Sequence, residues 1–549
     1  MGGFLSHLKP EHNSEVLNAT CGPIRGNIYR HGEKTVDGYL GIPYAKPPIG
    51  SLRFKKPVAA EKWAEPKDCY QYGPGCPQSG HCASSIPSEP FEFAEDNCLS
   101  LNVFAPREKS IEFKTGHPVI VYFHGGGFEV GFSASIDDYS LSGTLPLKDV
   151  VVVTVNYRVG PLGFLTTGDD VARGNYGLWD QTLALKWVQE HIASFGGDPG
   201  SVTVFGTNAG GASVDLLALS PHSNILFHRF IAMSGSALCD FAIRTRDSEA
   251  KIFRRFAEYH GYSGEDSKSL LEWYEAQPAS KFAELAGFDR NASGFLSFGP
   301  NLDSDFFPLP FDELRRKAPK KEVIVMVGEY EGLGMVPGMP HFKNSHENFG
   351  KAIAETYGSD ITDNWETVEK KLLDFYTKNL AENDNTGWDR ALVEFVGDSR
   401  FNIGALDTVK SCVKYGNDAY LAQFDYFNQE SNDPIIKMLP FKAATHGSHN
   451  KYIYGDALVS KFDPNEEELK VMDMMGTFVT NFAKYGNPNG KEGPEVWEKY
   501  SLSQPNRYFK IDYPKSEMRE NFQNGRMRIY DDINETGKKY QEIVYGNKL

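Results

Sequence analysis

The chain has 549 residues, of which 40% are hydrophobic and 24% are charged, a composition typical of a globular protein with a large core. Lys and Arg number 57 against 73 Asp and Glu, so the formal net charge is −16. Such a charge repels the phosphate backbone, and we expect no nucleic-acid partner. The seven scattered cysteines are odd in number and too sparse for a disulfide framework.

The first sixteen residues are predicted to form a tail ahead of the folded domain. They contain no continuous apolar segment of the kind that a secretion signal needs, and no apolar run in the chain approaches 18 residues. Met1–Ser6 fits the M-G-x-x-x-[ST] pattern for N-myristoylation at Gly2, although so short a motif also arises by chance. One lipid chain without a basic cluster gives at most reversible membrane association. The expected location is therefore cytoplasmic, peripheral to a membrane where Gly2 is acylated, and not secreted.

Residues 17–549 are predicted to form a single domain with alternating strands and helices. Residues 17–57 resemble β-hairpins, 177–195 have largely helical spacing of apolar residues, and the charged region 247–400 is expected to be a helical insertion with one strand near 323. Five unalternated apolar runs are typical of strands buried on both faces: 118–123, 149–157, 202–205, 230–233 and 323–327. The pattern predicts a large, doubly wound, mostly parallel α/β sheet with helical insertions over its active-site end.

Three consecutive glycines, Gly125 to Gly127, follow His124 directly after the strand 118–123. Glycines after a buried strand let the backbone turn so that successive N–H groups converge on one point, as an oxyanion hole requires. Gly-rich turns are also common where strands simply end. The motif therefore needs a second signal to indicate catalysis.

That second signal is the segment that follows the strand 202–205. Gly206-Thr207-Asn208-Ala209-Gly210 has the frame of a nucleophile elbow, G-x-S-x-G, in which a sharp turn between strand and helix presents a serine. Asn208 stands at the serine position.

With these motifs the chain resembles the type-B carboxylesterase and cholinesterase family of α/β-hydrolases over almost its whole length. The resemblance rests on the elbow, the HGGG loop and four further segments, 95–103, 156–164, 175–181 and 195–199. It implies two structural ion pairs, Arg53 with Glu95 and Arg158 with Asp180. It also implies a disulfide between Cys76 and Cys98 where the protein is oxidised, whereas the family's later bridges have no counterparts, which favours a reducing compartment.

The resemblance also implies the roles of the site residues. Glu331 would be the acid that orients the base His446, and Gly126, Gly127 and Ala209 would supply the oxyanion-hole N–H groups. An ordinary solvated loop carboxylate is the alternative reading of Glu331. No cofactor is implied, and the histidines and cysteines show no metal-ligand spacing.

Three departures from the family pattern concern the site itself. Asn208 replaces the nucleophile, Thr207 stands where the family has Glu, and His449 stands where it has an acid. We therefore predict a catalytically impaired pseudo-esterase that binds a hydrophobic, ester-like ligand or a protein partner, as the family's cholinesterase-like adhesion proteins do without a competent triad.

Three alternatives stay open at this point. The chain could hydrolyse carboxylic esters slowly through the oxyanion hole and His446 acting on a positioned water. It could act through Asn208 after deamidation to a carboxylate nucleophile. It could also be a decaying paralogue whose fold has outlasted its function.

Overall fold

The computed structural model describes residues 10–13, 15–78, 92–283, 298–338, 345–357, 365–431, 436–456, 462–531, 533 and 538–546. Within them the strands are β1 Glu11–His12, β2 Leu17–Ala19, β3 Gly22–Arg25, β4 Asn27–His31, β5 Lys34–Pro43, β6 Lys67–Asp68, β7 Ser100–Pro106, β8 His117–Phe123, β9 Val151–Val155, β10 Gly197–Thr207, β11 Arg229–Met233, β12 Glu322–Gly328, β13 Asp418–Phe424, β14 Tyr508–Ile511 and β15 Glu517–Arg519.

The α-helices surround the strands and vary from one turn to five. They are α1 Asp138–Ser142, α2 Gly160–Phe164, α3 Tyr176–His191, α4 Ala209–Leu219, α5 Arg246–Tyr259, α6 Ser267–Ala276, α7 Phe311–Lys317, α8 Ser345–Tyr357, α9 Trp365–Thr377, α10 Asn385–Gly397, α11 Ile403–Lys414, α12 Asn450–Tyr454, α13 Glu466–Tyr485 and α14 Lys538–Tyr545. Within the described ranges, no helix combines the length and the apolarity that crossing a bilayer requires.

Twelve strands form one sheet in the order β1-β4-β5-β7-β9-β8-β10-β11-β12-β13-β14-β15. The strands from β9 through β8 to β14 run parallel, and the pairs at both edges are antiparallel. The central parallel strands are buried along nearly their whole length because helices cover both faces, which explains their unalternated apolar sequences. This architecture confirms the predicted α/β fold.

The predicted elements agree with the structure apart from their ends. Helix α3 ends at His191, and the remaining predicted turn, Ile192–Phe195, is a 3₁₀ helix. The predicted insertion 247–400 is mostly helical, but β12 within it is a central strand of the main sheet. Within the residues predicted as a tail, β1 pairs with β4 at the edge of the sheet. Backbone hydrogen bonds to a sheet edge order these two residues, a contact that their composition does not reveal.

Both expected ion pairs are present beneath the site. The carboxylate of Asp180 is fully buried and accepts from Nε and Nη2 of Arg158, each at 2.7 Å. Arg53 makes a two-pronged contact with Glu95, through Nε at 2.5 Å and through Nη2. A disulfide joins Cys76 to Cys98. The Arg158–Asp180 pair ties the loop after β9 to α3, and the other two links join segments between β5 and β7.

Candidate active site

The turn between β10 and α4 places Asn208 at the carboxyl end of the central sheet. Its backbone has φ 58° and ψ −121°, an unfavourable conformation for a residue with a side chain. The flanking glycines make this turn sterically feasible. A Cβ on Gly206 would lie 2.2 Å from the carbonyl carbon of Gly210, and one on Gly210 would lie 2.0 Å from the carbonyl oxygen of Phe123. The strand and helix can pack this closely only with glycine at both positions.

The HGGG loop lies beside this elbow because β8 and β10 are parallel neighbours, with Gly206 opposite Phe123. Both strands therefore end at the same edge of the sheet. The Oδ1 atom of Asn208 accepts hydrogen bonds from the N–H groups of Gly127 at 2.9 Å and Gly126 at 3.3 Å. Ala209, the third predicted donor, is the first residue of α4. The side-chain oxygen of Asn208 thus occupies the point on which two of the three predicted oxyanion-hole groups, those of Gly126 and Gly127, converge.

Glu331 follows β12 and is fully buried. One carboxylate oxygen accepts from Ser234 Oγ at 2.6 Å and from the N–H of Gly328, and the other lies 2.6 Å from Nδ1 of His446. Burial by itself raises the pKa of Glu331, but the neighbouring His446 and these hydrogen bonds outweigh it and hold the pKa below its ordinary value. Glu331 is therefore an ionised, oriented carboxylate and not a solvated loop residue.

The loop that carries His446 is attached to the Glu331 loop by backbone pairing. The N–H of Tyr330 donates to the carbonyl of Ala444 at 3.0 Å, and Oγ1 of Thr445 donates to the carbonyl of Tyr330 at 3.0 Å. Nε2 of His446 then lies 2.9 Å from Nδ2 of Asn208. Because this Nδ2 can only donate, Nε2 must accept and the ring proton must be on Nδ1, facing Glu331. The contact thus defines the tautomer of the neutral imidazole.

Two residues near His446 were not predicted from the sequence. Ser234 follows β11 and donates to Glu331, and the ring of Phe401 lies 4.6 Å from the imidazole of His446. Phe401 belongs to a π-helical turn, Asp398–Asn402, which joins α10 to α11. The only sequence signal for Ser234 is its position at the carboxyl end of a predicted strand, where functional side chains collect in α/β sheets. A π-helical turn has no comparable signal.

The two other departing residues, Thr207 and His449, lie beneath the site. Oγ1 of Thr207 donates to Oδ1 of Asn450 at 2.9 Å, a neutral hydrogen bond. His449 is fully buried, and neither of its ring nitrogens has a hydrogen-bond partner among the described residues. Burial lowers the pKa of His449 to about 4, with His446 adding to and Glu331 opposing this shift. The layer below the site therefore carries no second negative charge from these two positions.

Some predicted features have no described geometry. Gly2, the predicted site of acylation, lies outside the described residues. Within the described ranges, no three His, Cys, Asp or Glu side chains are grouped in a way that could hold a metal ion.

Comparison with known proteins shows the family of the chain. Residues 13–530 match the model of the carboxylesterase family. The chain belongs to this family. The chain is 53% identical to esterase cest-33 of Caenorhabditis elegans, over 100% of this chain and 99% of that protein. It is 32% identical to mouse cholinesterase, over 92% of this chain and 84% of the relative, and 32% identical to mouse neuroligin-3, over 88% and 62%. The resemblance drawn from the motifs is thereby confirmed at the level of family and fold.

Proposed function

We propose that this carboxylesterase-family protein is a pseudo-esterase, impaired in ester hydrolysis, which uses its site to bind a hydrophobic, ester-like ligand or a protein partner. One observation carries the proposal. At the elbow, the side-chain oxygen of Asn208 accepts hydrogen bonds from the N–H groups of Gly126 and Gly127, and its side-chain nitrogen is hydrogen-bonded to His446. The side chain therefore contacts both the predicted oxyanion donors and the predicted base.

The chemistry of the carboxamide explains why turnover should be impaired. An elbow serine attacks because the histidine removes its proton and leaves an alkoxide-like oxygen. The nitrogen lone pair of a carboxamide is delocalised into its carbonyl group, and Nδ2 of Asn208 has no comparable nucleophilicity. His446 therefore accepts a hydrogen bond from Nδ2, but removing that proton would not create a nucleophile able to attack an ester.

The occupied donors also weaken the case for residual hydrolysis. An ester carbonyl that is to be polarised by Gly126 and Gly127 must first displace Oδ1 of Asn208. A positioned water would likewise have to compete with Nδ2 for Nε2 of His446. Both elements on which a triad lacking its serine would rely are therefore already engaged.

The alternative function is a carboxylic ester hydrolase. It is favoured by the similarity, at 53% identity, to a protein named an esterase, and by the close contact of 2.6 Å between His446 and Glu331. Such an enzyme would use the oxyanion donors and His446 after displacing Asn208, or a carboxylate formed from Asn208.

An esterase assay with a short-chain aryl ester and a fluorophosphonate probe distinguishes the two. The parent chain is compared with Asn208→Ser, with Asn208→Ser/His446→Ala, and with Asn524→Ser as a matched exchange at an exposed position. We expect the parent and Asn524→Ser to be silent, and Asn208→Ser to gain probe labelling and about 10³-fold in turnover that His446→Ala removes. Parent turnover that a single His446→Ala exchange abolishes would show that the pseudo-esterase proposal is wrong.

Ligand binding is tested separately from turnover. Equilibrium dialysis of the parent chain with non-hydrolysable ether analogues of long-chain esters should show saturable binding if the site takes a hydrophobic ligand. Introducing a bulky side chain at the site, as in Gly334→Leu, should weaken it, since a Cβ there would lie 2.8 Å from Cβ of His446. Absence of saturable binding would leave the protein-partner form of the proposal, to be pursued by cross-linking.

We also propose that Gly2 carries a myristoyl group, on the strength of the Met1–Ser6 motif, and that the chain is cytoplasmic, with the Cys76–Cys98 disulfide formed only where the protein is oxidised. The mass of the amino-terminal peptide from the native source tests the acylation, and Gly2→Ala should remove both the added mass and any membrane-bound fraction. An unmodified Gly2 in the native protein would refute it.

A further inference from the structure

We infer that the site acts on its own Asn208: His446 and the oxyanion donors promote hydrolysis of the Asn208 carboxamide by water, which converts this residue to aspartate. The inference concerns a self-modification and stands independently of the ligand that the site binds. It follows from the contacts of Oδ1 and Nδ2, the two polar atoms of the carboxamide.

The carboxamide of Asn208 is held as an amide substrate would be. Its oxygen accepts from the N–H groups of Gly127 and Gly126 at 2.9 and 3.3 Å, which polarises the carbonyl and stabilises negative charge developing on that oxygen. Its nitrogen, the leaving group of the hydrolysis, lies 2.9 Å from Nε2 of His446. The bond that must break therefore lies between the oxyanion donors and the acid–base residue.

The proton balance is carried by His446 in its neutral tautomer. Water first displaces the Nδ2 hydrogen bond from Nε2 of His446. It then attacks Cγ of Asn208 and forms a C–O bond, while Nε2 takes the proton that the water loses. The tetrahedral oxygen is held by Gly126 and Gly127. The imidazolium, stabilised by Glu331 at 2.6 Å from Nδ1, returns the proton to Nδ2, and the C–N bond breaks. One water is consumed, one ammonia is released, and the new side-chain carboxylic acid ionises to an aspartate carboxylate.

Solvent can reach the reacting atoms. Asn208 is half-buried, and the side chain of His446 is 12% exposed, although Glu331 behind it is fully buried. Hydrogen bonds to Gly126, Gly127 and His446 hold the carboxamide on the oxyanion donors. The reaction therefore needs only a water molecule from the solvent.

The product distinguishes this route from ordinary deamidation. Ordinary deamidation proceeds by attack of the next residue's backbone nitrogen on Cγ, through a cyclic imide that opens to both aspartate and isoaspartate. Direct hydrolysis by water gives aspartate alone and depends on His446. Asn524, which is exposed and precedes Gly525, provides an internal reference for the imide route in the same molecule.

The test is a timed incubation of the full-length chain in ¹⁸O-labelled water, followed by peptide mass spectrometry. We expect the Asn208 peptide to gain one ¹⁸O and to contain aspartate without isoaspartate, while Asn524 yields both isomers. His446→Ala should slow conversion at Asn208 by about 100-fold and leave Asn524 unchanged. Glu331→Gln, which keeps the imidazole but removes its charged partner, should also slow it.

Three results would overturn the inference. One is an Asn208 that stays intact while Asn524 converts, and another is isoaspartate at Asn208. The third is a conversion rate at Asn208 that neither His446→Ala nor Glu331→Gln alters. These readouts are masses and are independent of ester turnover, so failure of this inference and failure of the pseudo-esterase proposal give different observations.

Discussion

Two buried carboxylates, Asp180 and Glu331, differ in what holds them. Asp180 accepts from the Nε, Nη2 and backbone N–H of Arg158, a partner that carries its charge at every accessible pH. Glu331 accepts from a hydroxyl, a backbone N–H and an imidazole whose charge can change. The first arrangement permanently neutralises a buried charge, whereas the second keeps a carboxylate ready to stabilise a protonated histidine.

The comparison separates an ion pair that supports the fold from a contact that orients the imidazole of the candidate site. The buried pair of Arg158 with Asp180 contributes to the stability of the fold. The Glu331–His446 contact, by contrast, orients the imidazole, and its loss should affect chemistry more than stability. Mutations at each carboxylate should therefore separate the two roles.

The largest expected effect is that of Glu331→Gln in an Asn208→Ser background. Gln can donate to Nδ1 of His446, so the imidazole can adopt the wrong tautomer and lose its charged partner. We expect kcat for an aryl ester to fall by about 10³-fold relative to Asn208→Ser, back to the level of the parent chain, with KM nearly unchanged. A loss below tenfold would show that Glu331 does not orient the base.

A large loss of stability is expected from Asp180→Ala. The change leaves the guanidinium of Arg158, which is only 2% exposed, buried and unpaired. The free energy of unfolding should fall by about 3–5 kcal/mol, as measured by urea denaturation. The double exchange Arg158→Met/Asp180→Leu should recover most of this loss, because it removes both charges. If the double variant were as unstable as Asp180→Ala, the buried charge would not be the cause.

A smaller effect concerns the stability of the folded chain at acidic pH. Burial lowers the pKa of His449 to about 4 from an ordinary value of 6.5, so between these values the unfolded chain binds one more proton at this residue than the folded chain. Stability must therefore fall as the pH drops from 6.5 towards 4, at about 1.4 kcal/mol per pH unit from this residue. His449→Gln should make the slope shallower by that amount in denaturation curves at pH 5 to 6. Above pH 7.5 the slopes of the two proteins should coincide, and equal slopes at pH 5 to 6 would contradict the prediction.

Local sequence patterns predicted most of the fold. The apolar runs that became β8, β9, β10, β11 and β12 could be recognised because parallel strands covered on both faces need apolar side chains at every position. The end of β10 was underestimated, since the elbow extends the strand to Thr207 through polar and glycine residues. The pairing of β1 was missed because two residues at a sheet edge are ordered by backbone hydrogen bonds, which have no side-chain signature.

For the site, the sequence by itself determined which residue types stand in the HGGG loop, the elbow, the acid loop and the histidine loop. Only the tertiary structure decided that the oxygen of Asn208 lies on the N–H groups of Gly126 and Gly127 and its nitrogen on His446. The sequence could not show whether these donors are occupied, because the identity of residue 208 does not reveal where its side chain points. The orientation is decided by groups that come together from separate strand ends: two N–H donors attract the carbonyl oxygen, and an imidazole lone pair attracts the amide N–H.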